Sequence, residues 1–192
     1  MGKENITEFK SGAIRDTTLG KSMMELIPLE LLPSEIIDNL TTDYQFKNGE
    51  RKEIFLPRIF EVLQEIRMGD ISHVDDLIIN SFNLVGKQYL DILYDLGIHY
   101  GAGCEKYGAN NFMLGQKLSH IVGSYERHLV KFVEGWKDEA PHERGMLWNV
   151  INIKFVTRYY KDDQEICDML CWYKNNKPNN EFILKNAKKA GE

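Results

Sequence analysis

The chain has few cysteines, no excess of positive charge, no long apolar run and no internal repeat. Three cysteines in 192 residues (Cys104, Cys167 and Cys171) are too sparse and too odd in number for a disulfide-stapled secreted domain. They point to a reducing, cytoplasmic setting. Lys and Arg total 24 against 29 Asp and Glu, a formal charge of -5. No broad basic field is available, which argues against duplex nucleic acid as a partner, although a local basic pocket for a nucleotide is compatible with it. The opening MGKENITEFKSG lacks the apolar centre of a signal peptide, and no run approaches the ~18 apolar residues of a membrane span, so no membrane partner is expected. Low-complexity linkers and period-two strand patterns are missing too.

What is present is the composition of an ordinary globular domain, 43% apolar and 28% charged, with helical periodicity over most of its length. The first twenty residues read as an extended polar arm. Pro28 and Pro33 break the apolar stretch Met23–Leu32 into turns, and 34–40 reads as a short helix capped by Ser34. Ile54, Phe55, Ile59, Phe60, Val62, Leu63 and Ile66 recur at helical spacing. So do Val74, Leu77, Ile78, Phe82, Val85, Tyr89, Leu93 and Leu96, which predicts two amphipathic helices joined near Gly69–Asp70. Four glycines between Gly101 and Gly115 predict a loop. Further helices are expected from about Lys117 to Glu134, stopped by Gly135, and through Trp148, Ile151, Phe155 and Tyr159. Asp162 and Asp163 can start a last one, and the Lys-rich tail over 178–192 reads as flexible. The expected fold is all-α: one helical, bundle-like domain over 1–192.

Three polar clusters can carry chemistry. The Gly-rich stretch Gly101–Phe112 combines glycines, which let backbone N–H groups approach a phosphate, with Lys106 as a point charge and Tyr107 or Phe112 as a stacking face. A plain interhelical turn has the same composition. Arg127, suited to fork a phosphate, precedes His128, which titrates near neutral pH; the alternative is a surface pair beside a hydrogen-bonded histidine. His120 and His128 stand roughly 12 Å apart along a helix, too far for one metal ion. The third cluster is Asp138-Glu139-Ala140-Pro141-His142-Glu143. Its carboxylates can hold Mg²⁺, and His142 and Glu143 are candidate general bases, yet acids at helix N-termini also serve stability alone. Cys167 and Cys171, one turn apart without a second ligand pair, read as ordinary thiols.

Taken in order, GAIRD (Gly12–Asp16), GKSMMELIPLELL (Gly20–Leu32), HYGAGCEKYGANNF (His99–Phe112), SHIVGSYERHLVKF (Ser119–Phe132) and GWKDEAPHERGMLWNV (Gly135–Val150) resemble the successive phrases of the phage dATP/dGTP diphosphohydrolase family, N-terminal domain type. The likeness spans about half the chain. It makes 33–95 an insertion, a helical hairpin suited to a partner or a subunit interface. The resemblance implies Mg²⁺-dependent cleavage of dATP or dGTP to the monophosphate and pyrophosphate. It assigns Lys21, Lys106 and Arg127 to phosphates and Asn111 to base or ribose. His128 and His142 become proton-transfer or phosphate-contact groups, and Asp138 and Glu139 metal ligands. The chain departs from the family at acidic positions: Gly123 and Ala109 stand where the family has carboxylates, and Ala140-Pro141 interrupts its acidic run. Those losses suit a second expectation, a non-catalytic sponge that sequesters a nucleotide second messenger of antiphage defence. Both readings expect cationic and imidazole groups to converge on one anionic guest, with a homo-oligomer as the working state.

Overall fold

A computed structural model describes residues 6–8, 14–16, 22–41, 50–108, 110–138 and 141–170. Lys21, Ala109, Glu139, Ala140, Cys171 and the tail expectation over 178–192 lie outside the described residues. The body is helical. Among the described residues six α-helices follow one another: α1 (Ser34–Asp38), α2 (Glu50–Arg67), α3 (Val74–Val85), α4 (Tyr89–Tyr107), α5 (Leu118–Glu134) and α6 (His142–Tyr159). Short 3-10 turns at Met24–Leu26, Leu29–Leu31 and Asn111–Leu114 link them. The extended arm contains the exception to helix, an antiparallel ribbon of β1 (Ile6–Glu8) and β2 (Ile14–Asp16) in which Thr7 faces Arg15. No described helix is long and apolar enough to cross a membrane.

Three local expectations change. The apolar run from Val74 to Leu96 is two helices, because Gly86 adopts φ +70° and closes α3 by donating its N–H to the Phe82 carbonyl. A left-handed residue ends a helix whatever the periodicity beyond it, and the Arg51 guanidinium occupies the place a side chain at Gly86 would need. Gly101–Tyr107, expected as loop, is the last part of α4. Each interior glycine costs about 1 kcal/mol against alanine, but the helix is held by buried Leu96, Tyr100 and their neighbours. Gly97 has a packing use as well: the Ser22–Met24 segment crosses α4 there, and Met23 N–H donates to the Gly97 carbonyl at 3.0 Å. Ser34 is the first residue of α1 and makes no cap; Pro33 precedes it. Asp163 does cap the last turns: its carboxylate accepts from the Glu165 and Ile166 N–H groups at 2.9 and 3.0 Å, and its carbonyl from the Cys167 N–H at 2.8 Å, ahead of the helical turn at 168–170.

One core runs through the described helices. α2 packs on α3, α3 on α6, and α5 on α6. Ile36, Ile59, Leu63, Leu77, Phe82, Tyr125 and Val150 are all closed to solvent within that single cluster. The α2–α3 hairpin turns at Gly69 and Asp70, whose carboxylate accepts from the Ser72 N–H and hydroxyl at 2.9 and 2.6 Å. It is built into the core rather than appended to it. Its polar stitch is Ser81 on α3, whose hydroxyl donates to the Leu77 carbonyl at 2.6 Å while the Tyr125 hydroxyl of α5 donates to Ser81 at 2.7 Å, a pair with no exposure to water.

Helix α6 is the centre of the bundle. Twelve of its eighteen residues are buried, among them Asn149, Asn152 and Thr157. A buried carboxamide or hydroxyl needs a partner, and these three find one on their own helix. Asn149 donates to the Gly145 carbonyl at 2.6 Å, Asn152 to Trp148 at 2.9 Å, and Thr157 to Ile153 at 2.8 Å.

Candidate functional site: an aromatic cavity beside a polar seam

The C-terminal half of α4 and the segment after it enclose a cavity of about 380 Å³, toward the small end of ligand sites. Helical spacing puts His99, Tyr100, Gly103, Cys104 and Tyr107 along one side of α4, and these form one wall. Gly108, Asn110, Asn111, Phe112 and Gln116 close the end, Leu26 comes from the first 3-10 turn, and Trp148 comes from α6. The end loop is fixed by its backbone: Gly108 takes φ +89° and Asn110 the left-handed φ of 58°, which Asn tolerates better than most residues. Phe112 anchors it by packing edge-on to Tyr100 and Phe155, with centroids 5.2 and 5.7 Å apart. The Tyr160 hydroxyl adds a bond to the Met113 carbonyl at 2.8 Å.

His99 joins this cavity to a second feature. Its ring lies 5.8 Å from that of Trp148. Burial, helped by nearby His128 and Arg144, pulls its pKa down to about 4, so it is neutral at physiological pH. Beyond it, a polar seam runs between α5 and α6. His128 and His142 approach Nδ1 to Nδ1 at 3.3 Å, so one ring donates a proton to the other. Gly145 makes this possible, because a Cβ there would stand 2.6–2.8 Å from three atoms of the His128 ring. His142 is 5% exposed, and its Nε2 comes within 3.3 Å of Asp138 Oδ2, off the line of a hydrogen bond. Lys131 donates to the same Asp138 oxygen at 2.6 Å and holds that carboxyl below its usual range. Burial lowers the His128 pKa, and His142, Lys131 and Arg127 lower it further, against a smaller opposing pull from Asp138.

A third group of charges flanks the seam. Asp95 on α4 accepts from Lys87 at 2.8 Å and from Arg144 at 2.9 Å. Burial pushes Asp95 up, yet the two cations together hold it below the ordinary carboxylate value. Lys87 also reaches Glu143, at 3.4 Å.

Tyr107, Asn111 and Phe112 of the residues singled out from sequence therefore line the cavity. His128, His142 and Asp138 meet in the seam, and Glu143 belongs to the Lys87 group. Lys106 is exposed, with its ammonium 4.9 Å from the centre of the Tyr107 ring. Arg127 is exposed on α5, its guanidinium folded back over Gly123. The cations and imidazoles expected to converge thus have separate neighbours: Lys106 at the end of α4, Arg127 along α5, His142 inside the seam. Sequence reasoning missed His99, Tyr100, Cys104, Gln116 and Trp148. The signal for the first three was the three- and four-residue spacing from His99 to Tyr107, visible once that stretch is read as helix.

The described acids are a poor set for Mg²⁺. Asp138 is taken by Lys131, and Glu143 and Asp95 by Lys87. No group of three or more metal-ligating side chains gathers among the described residues. A hard dication needs several oxygens facing one point, and cations in contact with those carboxylates compete for the same lone pairs. The described residues do not fit the ion. Comparison with protein-family models, with curated proteins and with solved structures finds no match for this chain.

Proposed function

We propose that this chain binds a purine nucleotide, or a signal built from one, with the base in the α4–Trp148 cavity, and holds it without cleaving it. The observation that carries this reading is the cavity lining itself. Trp148 and Tyr107 offer flat faces of the kind on which bases stack, and Asn110, Asn111 and Gln116 offer both donors and acceptors to the edge of a heterocycle. The ordered phrases shared with the nucleotide diphosphohydrolases supply the chemical class, since the cavity draws on three of them through Leu26, His99–Phe112 and Trp148. Carboxylates already committed to Lys87 and Lys131 favour retention over hydrolysis.

Equilibrium dialysis against dATP and dGTP, with and without Mg²⁺, followed by chromatography of the recovered ligand, tests the proposal. Saturable binding with intact ligand is the expected outcome. Steady release of pyrophosphate overturns the non-catalytic part. The hydrolase reading retains one observation in its favour, the contact of His128 with His142 beside Asp138, which puts candidate general bases next to one another. Loss of pyrophosphate release in Asp138→Asn would then identify the seam as its working part.

A further inference from the structure

We infer that the cavity reads the uncharged part of its ligand, the nucleobase with its sugar, and gains little or no affinity from phosphate. This rests on the nucleotide reading above and narrows it to nucleoside recognition.

Among the described lining residues there is no Lys, Arg, Asp or Glu. The wall is made of aromatic rings, carboxamides, a thiol, a leucine, glycine backbone and one histidine that stays neutral. A phosphate brought into such a space would lose its water without gaining a cation or a cluster of charged donors, at a cost of several kcal/mol. The nearest basic groups of the neighbouring seam offer no cheap remedy. Arg144 and Lys87 share Asp95, Lys87 also reaches Glu143, and Lys131 is paired with Asp138, so recruiting any of them breaks an existing ion pair. Lys106 is exposed, with its ammonium over the Tyr107 ring, and is not among the lining residues. A neutral planar heterocycle meets none of these costs: it stacks on Trp148 or Tyr107 and pairs its edge with Asn111 or Gln116.

Gly103 gives a way to test the site without breaking the fold. It lies on the cavity wall, and a Cβ built there meets nothing within 4 Å. Gly103→Leu therefore fills the cavity from a helical position where leucine is also the better helix former, by close to 1 kcal/mol.

The experiment is titration calorimetry of the full chain with 2′-deoxyadenosine, 2′-deoxyguanosine and their 5′-triphosphates, at about 50 and 200 mM salt. For the preferred base, nucleoside and triphosphate are expected to bind within about threefold of each other, a difference under 1 kcal/mol. The salt effect should be about twofold or less, unlike a site that neutralises phosphates. A triphosphate preferred by about thirtyfold or more, with binding that falls steeply in salt, overturns this inference and leaves the nucleotide reading intact. If neither nucleoside nor triphosphate binds, the nucleotide reading itself falls and takes this one with it. Gly103→Leu should keep the melting temperature and lose the binding. Unchanged affinity in that variant moves the ligand out of the cavity and overturns the inference independently.

Discussion

Replacing Gly145 with alanine tests whether the His128–His142 contact is enforced by packing. The added methyl would lie 2.6–2.8 Å from the His128 ring, where ordinary contacts begin at 3.4 Å. Either the ring or α6 must yield by well over half an ångström. The ring is the far end of a side chain and can turn away, but then it gives up its 3.3 Å contact with buried His142. Overpacking of this size costs about 1–3 kcal/mol. Against it, alanine in a helix interior gains about 0.5–1 kcal/mol over glycine. The net expectation is a loss of about 0.5–2 kcal/mol, or roughly 2–6 °C in Tm for a chain of this length. Placed in a His128→Ala background, where no ring remains to collide with, the same substitution should stabilise by about 0.5–1 kcal/mol. Urea unfolding of the four proteins in this double-mutant cycle gives the coupling directly, expected at about 1–3 kcal/mol. A coupling below about 0.3 kcal/mol would show that the ring does not rest on Gly145, and the seam as described would be wrong.

Acid should destabilise the protein partly through His99. Its folded pKa of about 4 lies below the unfolded value of 6.5, so the unfolded chain takes up the proton first. The stabilisation is complete above pH 6.5 and is lost as pH falls toward 4, by on the order of 2–3 kcal/mol, with lowered His128 acting in the same direction. Urea midpoints measured across that range should slope less in His99→Gln; an identical slope refutes the assignment. Tyr125→Phe removes the hydroxyl that bonds Ser81 but leaves Ser81 its Leu77 carbonyl, so calorimetric melting should show a loss of about 0.5–1.5 kcal/mol rather than the larger cost of an orphaned donor. Gly97→Ala sets a methyl against Ser22 and the backbone of Met23 and Met24, and should lift the segment that delivers Leu26 to the cavity. A destabilisation of about 1–3 kcal/mol with weakened ligand binding is expected, and unchanged affinity would separate that segment from the site.

Much of the helical framework could be read from periodicity because an amphipathic stripe is a local property. Leu118, Ile121, Val122, Tyr125 and Leu129 mark α5 plainly, and its left-handed Gly135 marks the end. The break at Gly86 was hidden because apolar spacing continues in phase across it, from Phe82 and Val85 to Tyr89. The glycines of α4 misled for the opposite reason. Their local signal is loop, whereas Gly97 and Gly101 are buried one turn apart on the same face, and at Gly97 a neighbouring segment comes close. Of the cavity lining, the Gly-rich stretch supplies Tyr107, Asn111 and Phe112. Trp148 arrives from a helix thirty-six residues beyond Phe112, and the 3.3 Å meeting of His128 with His142 joins two separate helices. Contacts of that kind follow from packing angles between helices, which spacing along one helix does not encode.

The way Asn149, Asn152 and Thr157 bond back to their own helix has a consequence for how the molecule opens. Helix α6 therefore keeps these three buried donors bonded to its own carbonyls when a neighbouring helix frays. Its amides have no partial route to solvent: deuterium should enter α6 only when the whole bundle comes apart, and its slowest sites will read out the free energy of global unfolding.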